Sequence, residues 1–418
     1  MCASSPARGE NTEIDTRDLF ALLDALPDPR KTGWRRHPLG YVLAVTFSAF
    51  VVPGFESLEA VAQWAAARSR AQLLRLGAWI HPFDGAVVAP SEKTIRWILT
   101  TVDPDALVTA CVAWTLARHH GDGDDGTGVD AVQRGEAMAA GLTALAMDGK
   151  CARGAKAGDG SMPQFMAAVT HDRPVVVAQA QIPDKTSEIA AVATLLAALA
   201  DAGWDLTSSV ITLDALHTVR DTATAITGAG AHYVMTVKGN RKVLQAACAA
   251  AFGRHAATAT THAQTGRGHG RTEERHLSAV SVTADDGIDF PAAAQIARVV
   301  RYRGGMDGQR ITKEVVFVIT SLTADQADAA TLARLIRGHW QVENGIHYVR
   351  DVTLGEDRSH ARTENLPAVL ACVRNTVIAA LRLAGATTIP RARRWAADNP
   401  ERIVGLFTAG PNPAIGSL

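Results

Sequence analysis

Three acidic residues stand where a carboxylate metal site could form. Asp148 ends the apolar run Leu145-Ala146-Met147 and is followed by Gly149-Lys150; Asp214 ends Val210-Ile211-Thr212-Leu213. Glu343 lies inside a long helical pattern, His339-Trp340-Gln341-Val342-Glu343-Asn344. Two divalent cations about 4 Å apart can activate a water or 3′-hydroxyl nucleophile and stabilise the leaving oxygen of a phosphodiester. Mg²⁺ prefers carboxylate oxygen and water ligands, so two or three acids suffice. Asp148 would bridge both ions, with Asp214 and Glu343 each completing one. The expected cofactor is a pair of Mg²⁺ ions, with Mn²⁺ as a substitute. Any one of these acids alone reads as an ordinary capping residue; the three together point to phosphodiester chemistry on nucleic acid.

The segment around Glu343 is the most specific. His339, Glu343 and His347 fall at i, i+4 and i+8 on one helical face, close to Ile336, Trp340 and Ile346. A glutamate beside that much apolar surface is costly unless paired or metal-bound. The spacing permits a His/Glu zinc site, but H-E-x-x-H is absent. The two histidines read better as hydrogen-bonded neighbours or phosphate contacts, and Trp340 as core. Lys150, Arg153, Lys238, Lys242 and Arg337 are candidate phosphate contacts. Arg267, His269 and Arg271 form a basic, Gly-rich turn suited to lie along a DNA backbone or simply to close a hairpin. Lys93 and Arg96, on a short helix, could enter a groove.

Elements must position these groups. Residues 15–118 read as helical: Leu19, Leu22, Leu23 and Leu26 make one apolar stripe, Ser57 and Ser91 look like N-caps, and Asp103-Pro104 is a cap followed by proline at the first helical position. Residues 119–135, rich in Gly and Asp, read as a linker; they lack the spacing of a calcium loop. Strands follow at 142–147, 164–170 and 175–182, a helix at 187–202, a strand at 209–213, a helix at 218–227 and a strand at 232–238. The order βββαβαβ, with carboxylates ending its first and fourth strands, is the layout of a ribonuclease-H-like mixed sheet in an α/β fold. Residues 240–330 read as a β-rich insertion with strands at 274–282, 297–302 and 313–320. Helices at 324–350 and 363–384 close the catalytic region, 136–385, and the tail 386–418 is expected to pack loosely.

Bulk properties set the frame. The chain has 418 residues, 47% hydrophobic and 20% charged, an ordinary globular composition. Lys+Arg and Asp+Glu are both 42, for a net charge of zero. A nucleic-acid partner therefore needs a local basic face rather than an overall positive charge. The five cysteines are scattered without C-x-x-C, consistent with reduced cytoplasmic thiols. The longest uncharged apolar run, 38–55, is interrupted by Pro53-Gly54 and reads as a buried helix rather than a membrane span.

The run Arg337-Gly338-His339-Trp340-Gln341-Val342-Glu343-Asn344, then His347-Tyr348, Asp351-Val352 and Glu356-Asp357, resembles the signature of bacterial insertion-sequence DDE transposases of the H-repeat-associated type. Ala146-Met147-Asp148-Gly149-Lys150 with Arg153-Gly154 resembles the first-aspartate block, Asp184-Lys185-Thr186-Ser187-Glu188-Ile189 the segment before the central helix, and Asp214-Ala215-Leu216-His217 the second-aspartate block. Tyr233 to Asn240 resembles the strand after it, and His269 to Arg275 lies in the insertion as in that family. Upstream, Asp28-Pro29-Arg30, His37-Pro38-Leu39, Pro90-Ser91 and Thr94-Ile95-Arg96 resemble its helical N-terminal domain, here 1–118. The likeness spans about residues 15–385. It implies metal-dependent cleavage at terminal inverted repeats and transfer of the 3′-hydroxyl into target DNA, with Asp148, Asp214 and Glu343 as the triad. It also implies double-stranded DNA as partner, a homodimer in the DNA complex, and a cytoplasmic, nucleoid-associated protein. Related transposases flank the glutamate with Tyr, Arg and Lys; those positions are Ile336, His339 and Arg350 here, of which Arg350 keeps the basic character. His339 and Arg350 therefore join the expected DNA contacts.

Two alternatives stand beside this reading. One is a catalytically inactive or domesticated DNA-binding relic. The other is a carboxylate-pair hydrolase acting on sugars. The second would need aromatic platforms, and aromatic residues make up only 5% of the chain, few of them near Asp148 or Asp214.

Overall fold

The computed structural model describes residues 14–31, 35–121, 141–156, 158–183, 187–268, 271–305, 310–410 and 415. Six helices come first: α1 (Leu19–Asp24), α2 (Leu39–Val51), α3 (Leu58–Ala66), α4 (Arg70–Arg75), α5 (Glu92–Thr101) and α6 (Pro104–Gly121). Their starts are written in the sequence. Ser57 Oγ accepts from Ala60 N and Ser91 Oγ from Thr94 N, and Asp103 Oδ1 accepts from Asp105 N ahead of Pro104. Every residue of α2 is buried, as a helix that is apolar all round requires. Since α6 runs through Gly121, the expected linker begins inside a helix; its remainder, 122–135, lies outside the described residues.

The sheet has nine strands: β1 (Thr143–Cys151), β2 (Gln164–Thr170), β3 (Val176–Ile182), β4 (Ser209–Leu213), β5 (His232–Val237), β6 (Thr260–Gly268), β7 (Arg271–Ser281), β8 (Gln295–Gly305) and β9 (Arg310–Thr320). Their spatial order is β3-β2-β1-β4-β5-β9-β8-β7-β6. β1 pairs antiparallel with β2 and parallel with β4, which pairs parallel with β5. In the register Ala146↔Thr212, the last pair, Asp148 and Asp214 each follow two residues later. Helices α7 (Glu188–Asp201) and α8 (Arg220–Gly228) make the crossovers.

The β-rich segment is not a separate body. β9 pairs antiparallel with β5, so β6 to β9 prolong the core sheet. β6, whose Thr-His-Ala-Gln-Thr-Gly run reads as polar loop, pairs along its whole length with β7. Partnering by a long neighbouring strand overrides a weak local signal. Helix α9 (Lys242–His255) joins β5 to this extension.

The last elements are α10 (Ala329–Gly338), α11 (Leu366–Leu383), α12 (Ile389–Ala397) and α13 (Pro400–Gly405). α11 is long and apolar enough to cross a membrane by composition, but 89% of its apolar window is buried inside the fold. It is the central core helix and packs on α6, α2 and α5. One continuous apolar cluster therefore joins the N-terminal helices to the sheet and to the C-terminus. The expected loose tail is instead built in. Phe407 is fully buried against Phe20, Phe47 and Trp114, and its carbonyl accepts from Leu19 N. The buried Arg393 guanidinium donates to the carbonyls of Phe50, Val51 and Val52, which end α2, and to that of Thr353.

Candidate active site

Asp148 lies in β1, still paired with β2 but two residues past the last pair with β4, and Asp214 immediately follows β4. Asp214 is exposed, and its Oδ1 accepts from Leu216 N, which fixes the turn leaving the strand. Asp148 is largely buried. Its carboxyl is pushed up to about 7, first by burial and then by the Glu343 charge, with smaller repulsion from Asp214 and Glu188. Asp214 and Glu343 are thus both close enough to act on it electrostatically.

The helix expected over 324–350 is not one α-helix. α10 ends at Gly338, and Val342–His347 and Val349–Thr353 wind as π-helix, with Tyr348 N donating to Glu343 O and Leu354 N to Val349 O. Two glycines permit this path over the β2–β3 turn. A Cβ at Gly338 would lie 2.1 Å from His171 Nδ1, and one at Gly345 2.7 Å from Pro174 Cβ. The wider turn separates the three residues that α-helical spacing places on one face. Glu343 and His347 reach Asp148, whereas His339 turns inward.

Asp148, Glu343 and His347 offer ligand atoms that all lie within 4.8 Å of one another. His347 Nδ1 is 3.4 Å from Glu343 Oε2 and 3.7 Å from Asp148 Oδ2. Its hydrogen bond to Glu343 holds that half-exposed carboxyl below the usual range, while burial depresses His347 itself. This histidine is thus a hydrogen-bonded neighbour of Glu343, and its ring nitrogen also lies among three groups that could hold a metal ion. Its signal in the sequence was the i+4 spacing from Glu343.

The floor of the site is neutral. Thr212 Oγ1 donates to Leu145 O at 3.3 Å and has His171 Nε2 at 2.9 Å and His339 Nδ1 at 3.2 Å. A hydroxyl with one proton can satisfy all three only if both rings present N–H to it. Burial, and then the neighbouring His339, push His171 down to about 3.

The expected DNA contacts divide. Arg153, Lys238, Lys242, Arg271 and Arg337 are exposed. Lys238 lines a cavity of about 120 Å³ with Thr212, Leu213, Arg301, His339 and Trp340. Trp340, expected in the core, is 52% exposed at its rim. Three of them have partners within the protein. Lys150 is buried, its Nζ donating to Asp351 Oδ1 at 2.5 Å. Arg350 is 1% exposed and spends its guanidinium on Glu356, with bonds of 2.5 and 2.6 Å, and on Asn375. His339 is engaged with Thr212. Lys150 and Arg350 thus have their charge matched within the protein. His269 lies outside the described residues. In the helical region, Arg96 pairs with Glu92 on its own helix, and Lys93 is exposed.

The chain is 25% identical to YncI of Escherichia coli O157:H7 over 380 residues, 88% of each chain. It is also 25% identical to the H repeat-associated YhhI of E. coli strain K12 over 374 residues, 87% of this chain and 90% of that one; both relatives carry the word transposase in their names. A solved synaptic complex of piggyBac transposase with hairpin DNA aligns with 95% of this chain and 81% of that one, at 9% identity and a TM-score of 0.41. The DDE_Tnp_1-associated family matches residues 20–115, the helical region. Residues 125–378, well over half of the chain and all of the site, match the transposase DDE domain, and the protein belongs to that family.

Proposed function

We propose that the chain is an active DNA transposase that cleaves at terminal inverted repeats and transfers the 3′-hydroxyl into target DNA, with Asp148, Asp214 and Glu343 as its metal-binding catalytic triad. The observation that carries this is the Asp148–Glu343–His347 cluster on β1, with the Asp214 charge felt at Asp148. Burial, and then the Glu343 charge, drive Asp148 up to about 7, and a divalent cation is the partner that would relieve this. The donor set of oxygens plus one imidazole fits Mg²⁺ and accommodates Mn²⁺ somewhat better. When bound, such ions supply Lewis acidity and a nucleophile at neutral pH.

The remaining residues serve that centre. Family membership and the strand order β3-β2-β1-β4-β5, with only β2 antiparallel to its neighbours, support a ribonuclease-H-like core. Lys238, Lys242, Arg271 and Arg337 are the exposed cations assigned to DNA phosphates, and Arg153 borders the strand carrying Asp148. Trp340 and the cavity beside it offer a surface to unpaired nucleotides near the cut. Assembly of two DNA ends by a homodimer belongs to the same reading. The helical region 20–115 is assigned to DNA binding or assembly.

The test is cleavage of a labelled duplex carrying the flanking inverted repeat, with Mg²⁺ or Mn²⁺. Wild type should nick at the repeat end, and Glu343→Gln and Asp148→Asn should bind but not nick. Binding without nicking in the wild type would instead identify a relic.

A further inference from the structure

Asp148 and Glu343 sit on different elements, one on a strand and one on a π-helical turn. Two carboxylates share a cation only if their elements keep a fixed distance. Past the pair Ala146↔Thr212, β1 has no further pairing with β4. Asp148 and Lys150 both lie on this stretch, two residues apart and so on the same face of the strand. The turn that carries Glu343 packs against β1.

Two contacts tie the residues after Glu343 to this part of the chain. Lys150 is buried, and its Nζ donates to Asp351 Oδ1 at 2.5 Å. Asp351 belongs to the second π-helical segment, Val349–Thr353, which follows the one holding Glu343. The Lys150 charge is felt at both Glu343 and His347, so the pair closes near the acids. Further on, Gly154 lies in the 3-10 turn Arg153–Ala155 and abuts the residues that follow Asp351. A Cβ at Gly154 would lie 2.5 Å from the carbonyl oxygens of both Glu356 and Ser359. Both are backbone atoms, so any larger residue must push that segment off. Arg350 does a different job: it ties the same segment to Glu356 and α11, not to β1.

We propose that Lys150 is a positioning residue for the metal centre: by clasping Asp351 it holds the Glu343-bearing turn against β1 and sets how far the Glu343 carboxylate stands from Asp148. The proposal rests on the metal-centre reading above. Gly154 completes the clasp by letting the 356–359 backbone seat beside the end of β1. Lys150 acts through Asp351 and touches no DNA.

The experiment is single-turnover nicking of the labelled inverted-repeat duplex in Mn²⁺, with DNA affinity and its salt slope measured separately. All proteins are assayed well below their melting temperatures. Asp351→Asn keeps the Lys150 charge beside Glu343 and loses only the clasp. It should slow nicking at saturating DNA at least ~10-fold, since a misplacement of about 1 Å can cost ~100-fold. DNA affinity and salt slope should stay as in wild type, a split that a loss of folded protein would not produce. Lys150→Met should do the same, and Lys150→Met with Asp351→Asn should be no slower than the slower single variant. Gly154→Ala alters no charge and should also slow nicking with DNA affinity intact; it decides the matter if the Lys150 and Asp351 variants fail to fold. If Lys150→Met instead weakens DNA binding and reduces the salt slope by about one while Asp351→Asn nicks as wild type, Lys150 is a phosphate contact and the clasp is refuted. If Asp351→Asn and Gly154→Ala nick at the wild-type rate while Glu343→Gln does not nick, the clasp is refuted and the triad stands. If wild type binds the repeat and never nicks, both readings fall.

Discussion

At the scale of single residues, the clearest consequence concerns Asp148. Its carboxyl titrates near 7 because it is buried beside Glu343, so below that pH a cation must displace a proton to bind. Mn²⁺ affinity should rise about tenfold per pH unit up to about 7 and flatten above it; a pH-independent affinity between pH 5 and 7 would refute this. The sign for stability is the reverse of the usual carboxylate. A folded-state value above the unfolded one means the metal-free protein loses stability as pH rises from about 4 to 7. Asp148→Asn should therefore raise the metal-free melting temperature at pH 8, by an amount corresponding to at least ~1 kcal/mol, and leave it nearly unchanged at pH 4. Thermal melts at the two pH values, with chelator present, check this.

At the scale of elements, the π-helical run between α10 and α11 decides which side chains meet. Unbranched π-helix is rare and concentrates at functional sites. Here it is pinned at its C-terminal end by Arg350, whose guanidinium joins Glu356 and, through Asn375, the core helix α11. Removing one partner of a buried ion pair costs roughly 3–5 kcal/mol. Arg350→Met should lower the melting temperature sharply while leaving the salt dependence of DNA binding unchanged. Lys242→Ala or Arg337→Ala should do the opposite, reducing the salt slope by about one without affecting melting. A reduced salt slope in a folded Arg350 variant would restore it to the DNA surface.

At the scale of the whole molecule, the two ends of the chain share one core. Arg393 closes the C-terminal carbonyls of α2, and Phe407 fills the space between α1, α2 and α6. Deleting residues 386–418 removes both and should expose the apolar faces of the N-terminal helices. The shortened protein should aggregate or lose cooperative melting; a soluble product melting within a few degrees of the full chain would contradict the shared core.

Much was legible in the residues alone. Period-two and period-three-to-four patterns marked β1 to β5 and most helices, because those segments bury one face or both and their composition must say so. The three acids were visible because two end apolar strands and the third sits oddly among apolar neighbours. What pattern could not carry was long-range: that β6 to β9 extend the same sheet, that the tail enters the N-terminal core, and that Lys150 pairs with Asp351. The close approach of Glu188 to Gly149 is hidden for the same reason, since Glu188 looks like an ordinary helix-start residue. Local sequence determines which groups can do chemistry and which segments must be buried; only the tertiary packing decides which charges find partners, because the partner lies tens or hundreds of residues away.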